Sequence, residues 1–154
     1  MAFDNAEPVA AGPRRSSELH GDEALRLLGS VSLGRIVFTR HALPTVRPVN
    51  HVLDDGDIVI RTHEGADIAS HARQGGSDSP GVVVAYEADA IDPDTHLGWS
   101  VVVTGYAHLV TDAHELARYQ KLLHPWVEQT MDYAVRIHPD LVTGIRLTEA
   151  GRPR

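Results

Sequence analysis

Short apolar runs broken by turn formers run along this chain, and their periodicity sets the first expectations. "GDEALRLLGS" places Leu25 and Leu28 on one helical face, with Asp22 as a candidate cap and Gly29 as the stop. "GRIVFTR" (34–40) is rich in β-branched and aromatic residues and predicts a strand. "HALP" turns the chain into a second strand, "TVRPVNHVL" (45–53). Asp55-Gly56 then marks a tight hairpin, because both turn positions tolerate positive φ, and "DIVIRTH" returns as a third strand. "GADIASHARQ" (65–74) predicts a short helix ended by the loop formers "GGSDSPG".

The second half repeats the style. "VVVAYEA" (82–88) is a continuous apolar run and predicts a buried strand. After the polar loop "DAIDPDTHLG" comes a long strand over 99–111, in which Gly105 signals a bulge or a close backbone approach. "DAHELARYQKLL" is a helix with Asp112 and Glu115 placed as a capping box, broken by "HPW". "YAVRIHPDLVTGIRLTE" closes the chain with strand-like runs around "HPD", read as a turn. Residues 1–18 lack periodicity and read as a flexible tail, leaving 19–154 as one domain. About six strands with three short helices between them, joined by links too short for parallel crossovers, predict a mainly β (α+β) fold. The expected architecture is a small antiparallel barrel with short peripheral helices.

Composition then narrows the chemistry. The chain has no cysteine, so it has no disulfide framework and no thiolate ligand or nucleophile, which suits a reducing cytoplasm. Its formal charge of -7 disfavours nucleic-acid and anionic-membrane partners. No apolar run approaches the ~20 residues of a membrane span. Arg14-Arg15 is followed by polar and helical sequence rather than a hydrophobic stretch, so an export signal is not expected. Lys121 is the single lysine, so a phosphate clamp here would rely on arginine. The ten histidines show no HxxxH spacing, and "DDGD" lacks calcium-loop spacing, so no metal site is expected. GxSxG, P-loop and GxGxxG motifs are absent.

What remains is "RPVNHVLDDGDIVIRT" (47–62) and its flanks. Strand alternation puts Ile58, Ile60 and Thr62 on one face and Val59, Arg61 and His63 on the other. Arg61 and Thr62 directly precede Gly65 and an expected helix N-terminus, a combination suited to an anion. A solvated strand end explains Arg61 equally well. Pro48 removes a ladder donor and argues for an edge. Asn50 can both donate to and accept from a heteroaromatic ring. Trp99 can stack on a ligand or pack in a core, and the core is the commoner use.

Taken in order, "GRIVFTR", "RPVNHVLDDGDIVIRT", "GWSVVVTGYAHLV" and "PWVEQTMDYAVRIHPDLVTGIRL" resemble the pyridoxamine 5'-phosphate oxidase-like flavin-binding family, in its nitroimidazole-resistance-like branch. The likeness covers about residues 20–149. It implies a split β-barrel acting as a homodimer, with FMN, or the deazaflavin F420, held between subunits. It implies that Arg47, Pro48, Val49 and Asn50 line the isoalloxazine, while Arg61 and Thr62 approach the phosphate, with His63 beside them. Trp99 and Ser100 are implied to come from the partner subunit, and Trp126 to lie near the ligand mouth.

One position departs from that branch. Asp67 stands where a lysine usually meets the flavin phosphate. Losing that contact and gaining a like charge costs on the order of 2–4 kcal/mol, about two decades of affinity. Three functions follow from the resemblance: an FMN-dependent oxidoreductase of a small organic substrate, an F420-dependent reductase, or a degenerate member with weak or no cofactor binding.

Overall fold

The structure, a computed structural model, describes residues 13–62, 68, 81–124 and 133–150. The elements are β1 (Arg14–Glu18), α1 (Gly21–Gly29), β2 (Leu33–Arg40), β3 (Leu43–Asp54), β4 (Asp57–Thr62), β5 (Val82–Ile91), β6 (Gly98–Leu109), α2 (Ala113–Leu122) and β7 (Tyr133–Glu149). Every strand pairing is antiparallel. The order β7-β4-β3-β2-β5-β6 closes on itself through β6–β7, giving a six-stranded barrel with β1 added at one edge of β7. The expected barrel architecture is therefore present.

The barrel is split. β4 pairs only with His51–Asp54 of β3, so Leu43–Asn50 pairs with β2 alone and leaves an open edge. Pro48 sits on that edge opposite Arg35, where its missing N–H breaks no ladder. β7 runs along the full length of β6, while its other side meets β4 at Tyr133–Ile137 and β1 at Ile145–Glu149.

Two apolar clusters hold these elements. The larger fills the barrel with Ile36, Phe38, Ile58, Ile60, Tyr86, Trp99, Val101, Val103 and Ile137, and is covered by Ala24 and Leu28 of α1. The smaller packs α2 onto the outside of β4, through Val59, Val110, Tyr119, Leu123 and Ala134. β4 is thus buried on both faces, which explains its continuous apolar run.

Both hairpins from β2 to β4 turn on two residues at positive φ: His41 and Ala42, then Asp55 and Gly56. That twist matches the strands it joins. Asp112 caps α2 as expected, its Oδ1 accepting the Glu115 N–H at 2.9 Å.

Four expectations are corrected or fall elsewhere. Residues 14–18, assigned to the tail, form β1, because β7 offers an open edge for them to pair with. The α1 cap is His20 without a side-chain bond, and Asp22 lies in the first helical turn, favourable to the helix dipole. "HPD" is not a turn: β7 is one strand of 17 residues, bulged where Thr104 pairs with Leu141 and Gly105 with Pro139. A Cβ at Gly105 would strike the His138 carbonyl, so the close approach expected there is real. The helix expected over 65–74 lies outside the described residues apart from Ile68.

Candidate functional site

Alternation along β3 and β4 sorts the stretch 47–62 into two faces. Val49, His51 and Leu53 point with Ile58, Ile60 and Thr62 toward the barrel interior. Asn50 and Val52 share the outer face with Val59 and Arg61, beneath α2. The end of α2 then meets two of the expected site residues. The Leu123 N–H donates to the Tyr119 carbonyl at 2.8 Å. The Leu123 carbonyl accepts from Arg61 Nη1 at 2.8 Å, and the next carbonyl, of His124, accepts from Asn50 Nδ2 at 3.0 Å.

Thr62 follows on the inner face and is 5 % exposed. Its Oγ1 is buried with no hydrogen-bond partner among the described residues. A buried hydroxyl left so costs about 1–3 kcal/mol. It is the one such side-chain atom among the described residues, and it lies across the strand from the Arg61 side chain, on the opposite face of β4.

His51 is buried in the interior. One ring nitrogen faces the Leu28 carbonyl at the end of α1, at 2.8 Å, and the other faces the Tyr86 hydroxyl at 2.5 Å. Burial lowers its pKa, so the neutral ring donates to Leu28 and accepts from Tyr86. His51 is thereby a structural member of the core.

The remaining expected residues lie apart from this centre. Arg47 and Pro48 are exposed on the open edge of β3, with Arg47 Nη1 donating to the Val46 carbonyl at 3.1 Å. Trp99 is 7 % exposed and packs in the barrel core. Ser100 points outward from β6 and lines an open cavity of about 420 Å³ with Glu18, Val102, Thr143 and Ile145. Within one chain, β2 and β5 separate Asn50 from Ser100. His63, Asp67 and Trp126 lie outside the described residues.

The family model described as pyridoxamine 5'-phosphate oxidase matches residues 20–147. The chain belongs to this family. The uncharacterized protein Rv0080 of Mycobacterium tuberculosis is 51% identical over 152 residues, covering 94% of this chain and 99% of that protein. A Corynebacterium glutamicum structure carrying the pyridoxamine 5'-phosphate oxidase name as a provisional label is 36% identical, with a TM-score of 0.69, covering 89% of this chain and 96% of its own. The FAD binding protein of Mycobacterium smegmatis is 31% identical, with a TM-score of 0.63, covering 86% and 98%.

In this pyridoxamine 5'-phosphate oxidase-like chain, two features escape a reading of the sequence. The first is an ionic cluster that ties α2 to the barrel end. Asp54 receives Arg118 through both oxygens at 3.0 and 2.7 Å, the Tyr119 hydroxyl at 2.5 Å, and Arg136 at 3.2 Å. Arg136 also donates to the Tyr119 hydroxyl and reaches Asp57 at 3.1 Å. The Arg118 and Tyr119 hydrogen bonds hold the Asp54 carboxyl well below the usual carboxylate range. Burial and Asp54 push the Tyr119 phenol up to about 12. Its members come from three distant stretches, so no local spacing announces it.

The second is the outer face of the sheet. Cross-strand pairing draws two straight rows over five strands: Val46–Val37–Ala85–Thr104–Leu141, and Pro48–Arg35–Glu87–Val102–Thr143. Val46, Val83, Val102, Tyr106, Leu141 and Ile145 are all exposed there. The polar island on this face is Arg35, which reaches Glu87 at 3.2 Å and Asp89 at 3.7 Å. Burial first, then Asp89, pushes the Glu87 carboxyl up to about 7.

Proposed function

We propose that this chain is a flavin-binding homodimer that carries out two-electron transfer on a small organic molecule. The observation that carries the cofactor half of this reading is the end of β4. There Arg61, on the outer face, is followed on the inner face by Thr62, whose buried hydroxyl has no partner among the described residues, and a phosphate oxygen reaching the strand end is an acceptor that would satisfy it. The similarity to an FAD binding protein supports a flavin as the group that brings such a phosphate. Asn50, Pro48 and Arg47 extend from that point along the open edge of β3, where a planar ring system would lie. The flavin, when bound, supplies the hydride and electron chemistry. The chain contributes position and charge.

The dimer half rests on the outer face. An apolar surface spread over five strands is of the kind that marks an interaction site. A two-fold contact through it would pair the β3 side of one copy with the β6 side of the other. Ser100 and its cavity would then be brought from the partner toward Asn50, which a single chain keeps apart.

The test is titration of purified protein with FMN, FAD and F420, read by quenching of cofactor fluorescence, alongside the absorption spectrum of what co-purifies. Saturable FMN or FAD binding supports the reading, and selective F420 binding moves it to a deazaflavin user. No binding by any of the three refutes it. Asp67 favours a second reading, a member that has lost its cofactor. Asp67→Lys separates the two: if the carboxylate is what blocks the phosphate, the variant gains or tightens FMN binding by about 100-fold.

A further inference from the structure

The two expected site residues that meet α2 are held by backbone carbonyls, and those carbonyls have a traceable support. Arg61 Nη1 donates to the Leu123 carbonyl at 2.8 Å, and Asn50 Nδ2 to the His124 carbonyl at 3.0 Å. Leu123 is the residue that ends α2, and its N–H is tied to the Tyr119 carbonyl at 2.8 Å. The Leu123 side chain is 4 % exposed and packs with Tyr119, Val59 and Ala134, so the turn is fixed from below as well.

Tyr119 is itself fixed at the opposite end. Its side chain is fully buried, and its hydroxyl donates to Asp54 Oδ2 at 2.5 Å while receiving Arg136. Arg118, the preceding residue, grips the same carboxylate through both oxygens. Asp54 lies at the end of β3 and Arg136 on β7. The phenol therefore locks the helix to two strands of the barrel, and the backbone of the same residue holds the turn that orients Arg61.

A buried phenol that needed only to fill space would be served by phenylalanine. Two charged groups converging on its oxygen make its position a fixed one, since an alternative placement leaves a carboxylate and a guanidinium short of a partner in a half-buried setting. The Asn50 and Arg61 contacts then inherit that fixity, because a guanidinium must be held within about half an ångström of its working place to bind a phosphate well.

We propose that Tyr119 is a positioning residue for the cofactor site, acting from Asp54 and Arg136 through Leu123 on Arg61. The cofactor part of this rests on the flavin reading above, while the action on Arg61 does not.

Tyr119→Phe removes the hydroxyl and keeps the ring. Val110→Ala is the control: Val110 packs in the same apolar cluster, and its backbone N–H is bonded to the Ala134 carbonyl, outside the chain of hydrogen bonds from Asp54 to Arg61. Two readouts are taken at a temperature well below either variant's melting point. The first is the relaxation of the Arg61 Nε–H signal in ligand-free protein by NMR. The second is the dissociation constant for FMN. Tyr119→Phe is expected to loosen Arg61 and to weaken FMN binding about tenfold, the worth of one lost hydrogen bond to a charged group. Val110→Ala is expected to lower the melting temperature and leave both readouts as in the parent. An unchanged Arg61 signal in Tyr119→Phe overturns the proposal, as do equal effects of the two variants. If the parent binds no flavin yet Tyr119→Phe still loosens Arg61, the relay stands and the flavin reading falls.

Discussion

Tyr86 and His51 meet edge to face inside the barrel, with ring centroids 5.1 Å apart, planes at 82° and the phenol oxygen 2.5 Å from Nδ1. Both are essentially enclosed. The pair joins β5 to β3, and through the Leu28 carbonyl it joins both to α1. Gly34 on β2 makes room for it, since a Cβ there would collide with the Tyr86 ring and hydroxyl.

Tyr86→Phe is therefore expected to cost about 1–3 kcal/mol, because it leaves His51 Nδ1 a buried acceptor without a donor. Gly34→Ala is expected to cost a similar amount by overpacking, since the phenol cannot swing aside in a filled core. Urea denaturation monitored by tryptophan fluorescence measures both. If Tyr86→Phe matches the parent, His51 does not depend on that donor.

How much of this was legible beforehand follows from the range of the forces involved. The Asp55-Gly56 hairpin, the Asp112 cap and the close approach at Gly105 were readable because each is decided by a few neighbouring residues. The proline of "HPD" is a turn signal locally, but a full-length pairing with β6 overrides it and leaves a bulge. β1 leaves no trace in the local pattern, because its five residues lack periodicity and gain strand structure only from the free edge of β7. The site divides in the same way. Pro48 on an edge followed from the chemistry of proline. The contacts of Arg61 and Asn50 with the end of α2 join residues 62 and 74 positions apart, and no local pattern records them.

Glu87 gives the chain a stability term of unusual sign. Its pKa is pushed up to about 7, by burial first and then by Asp89. The folded state thus holds this proton more tightly than the unfolded chain. The resulting stabilisation is fully present below the ordinary carboxylate range and is lost as the pH rises through about 7. Lowering of the His51 pKa acts oppositely, its contribution growing as the pH rises toward the ordinary histidine value and complete above it. Glu87→Gln mimics the protonated form and leaves His51 untouched. Melting curves across pH are expected to show the variant equal to the parent in mild acid and more stable above about 7. Parallel curves for the two proteins would remove Glu87 as the source.

The apolar outer face predicts self-association. A stable dimer buries about 800 Å² on each partner, and an aspartate placed inside such a surface must be desolvated on contact. Leu141, 59% exposed at the end of the Val46–Leu141 row, is the position to change, since it adds nothing to the barrel interior. In sedimentation at micromolar concentration the parent is expected to be dimeric and Leu141→Asp monomeric, with circular dichroism unchanged. A monomeric parent would remove the shared-cleft arrangement.

Thr62→Val separates a cofactor site from a packing defect, because its sign depends on whether a ligand is present. Valine matches threonine in shape and removes a buried hydroxyl that has no partner among the described residues. If the hydroxyl serves nothing, removing it is neutral or stabilising by up to about 1–3 kcal/mol. If a phosphate oxygen completes it, the same change deletes a charge-assisted hydrogen bond worth about 1.5–3 kcal/mol, a loss of about 10- to 100-fold in affinity. The expected result is both at once: a ligand-free melting temperature equal to or above that of the parent, and weaker FMN binding. A variant more stable without ligand and unchanged in FMN affinity would place the phosphate elsewhere. A variant destabilised without ligand would mean that the hydroxyl already has a partner within the chain, so that its exposure to a phosphate is no longer needed to explain its presence in the core.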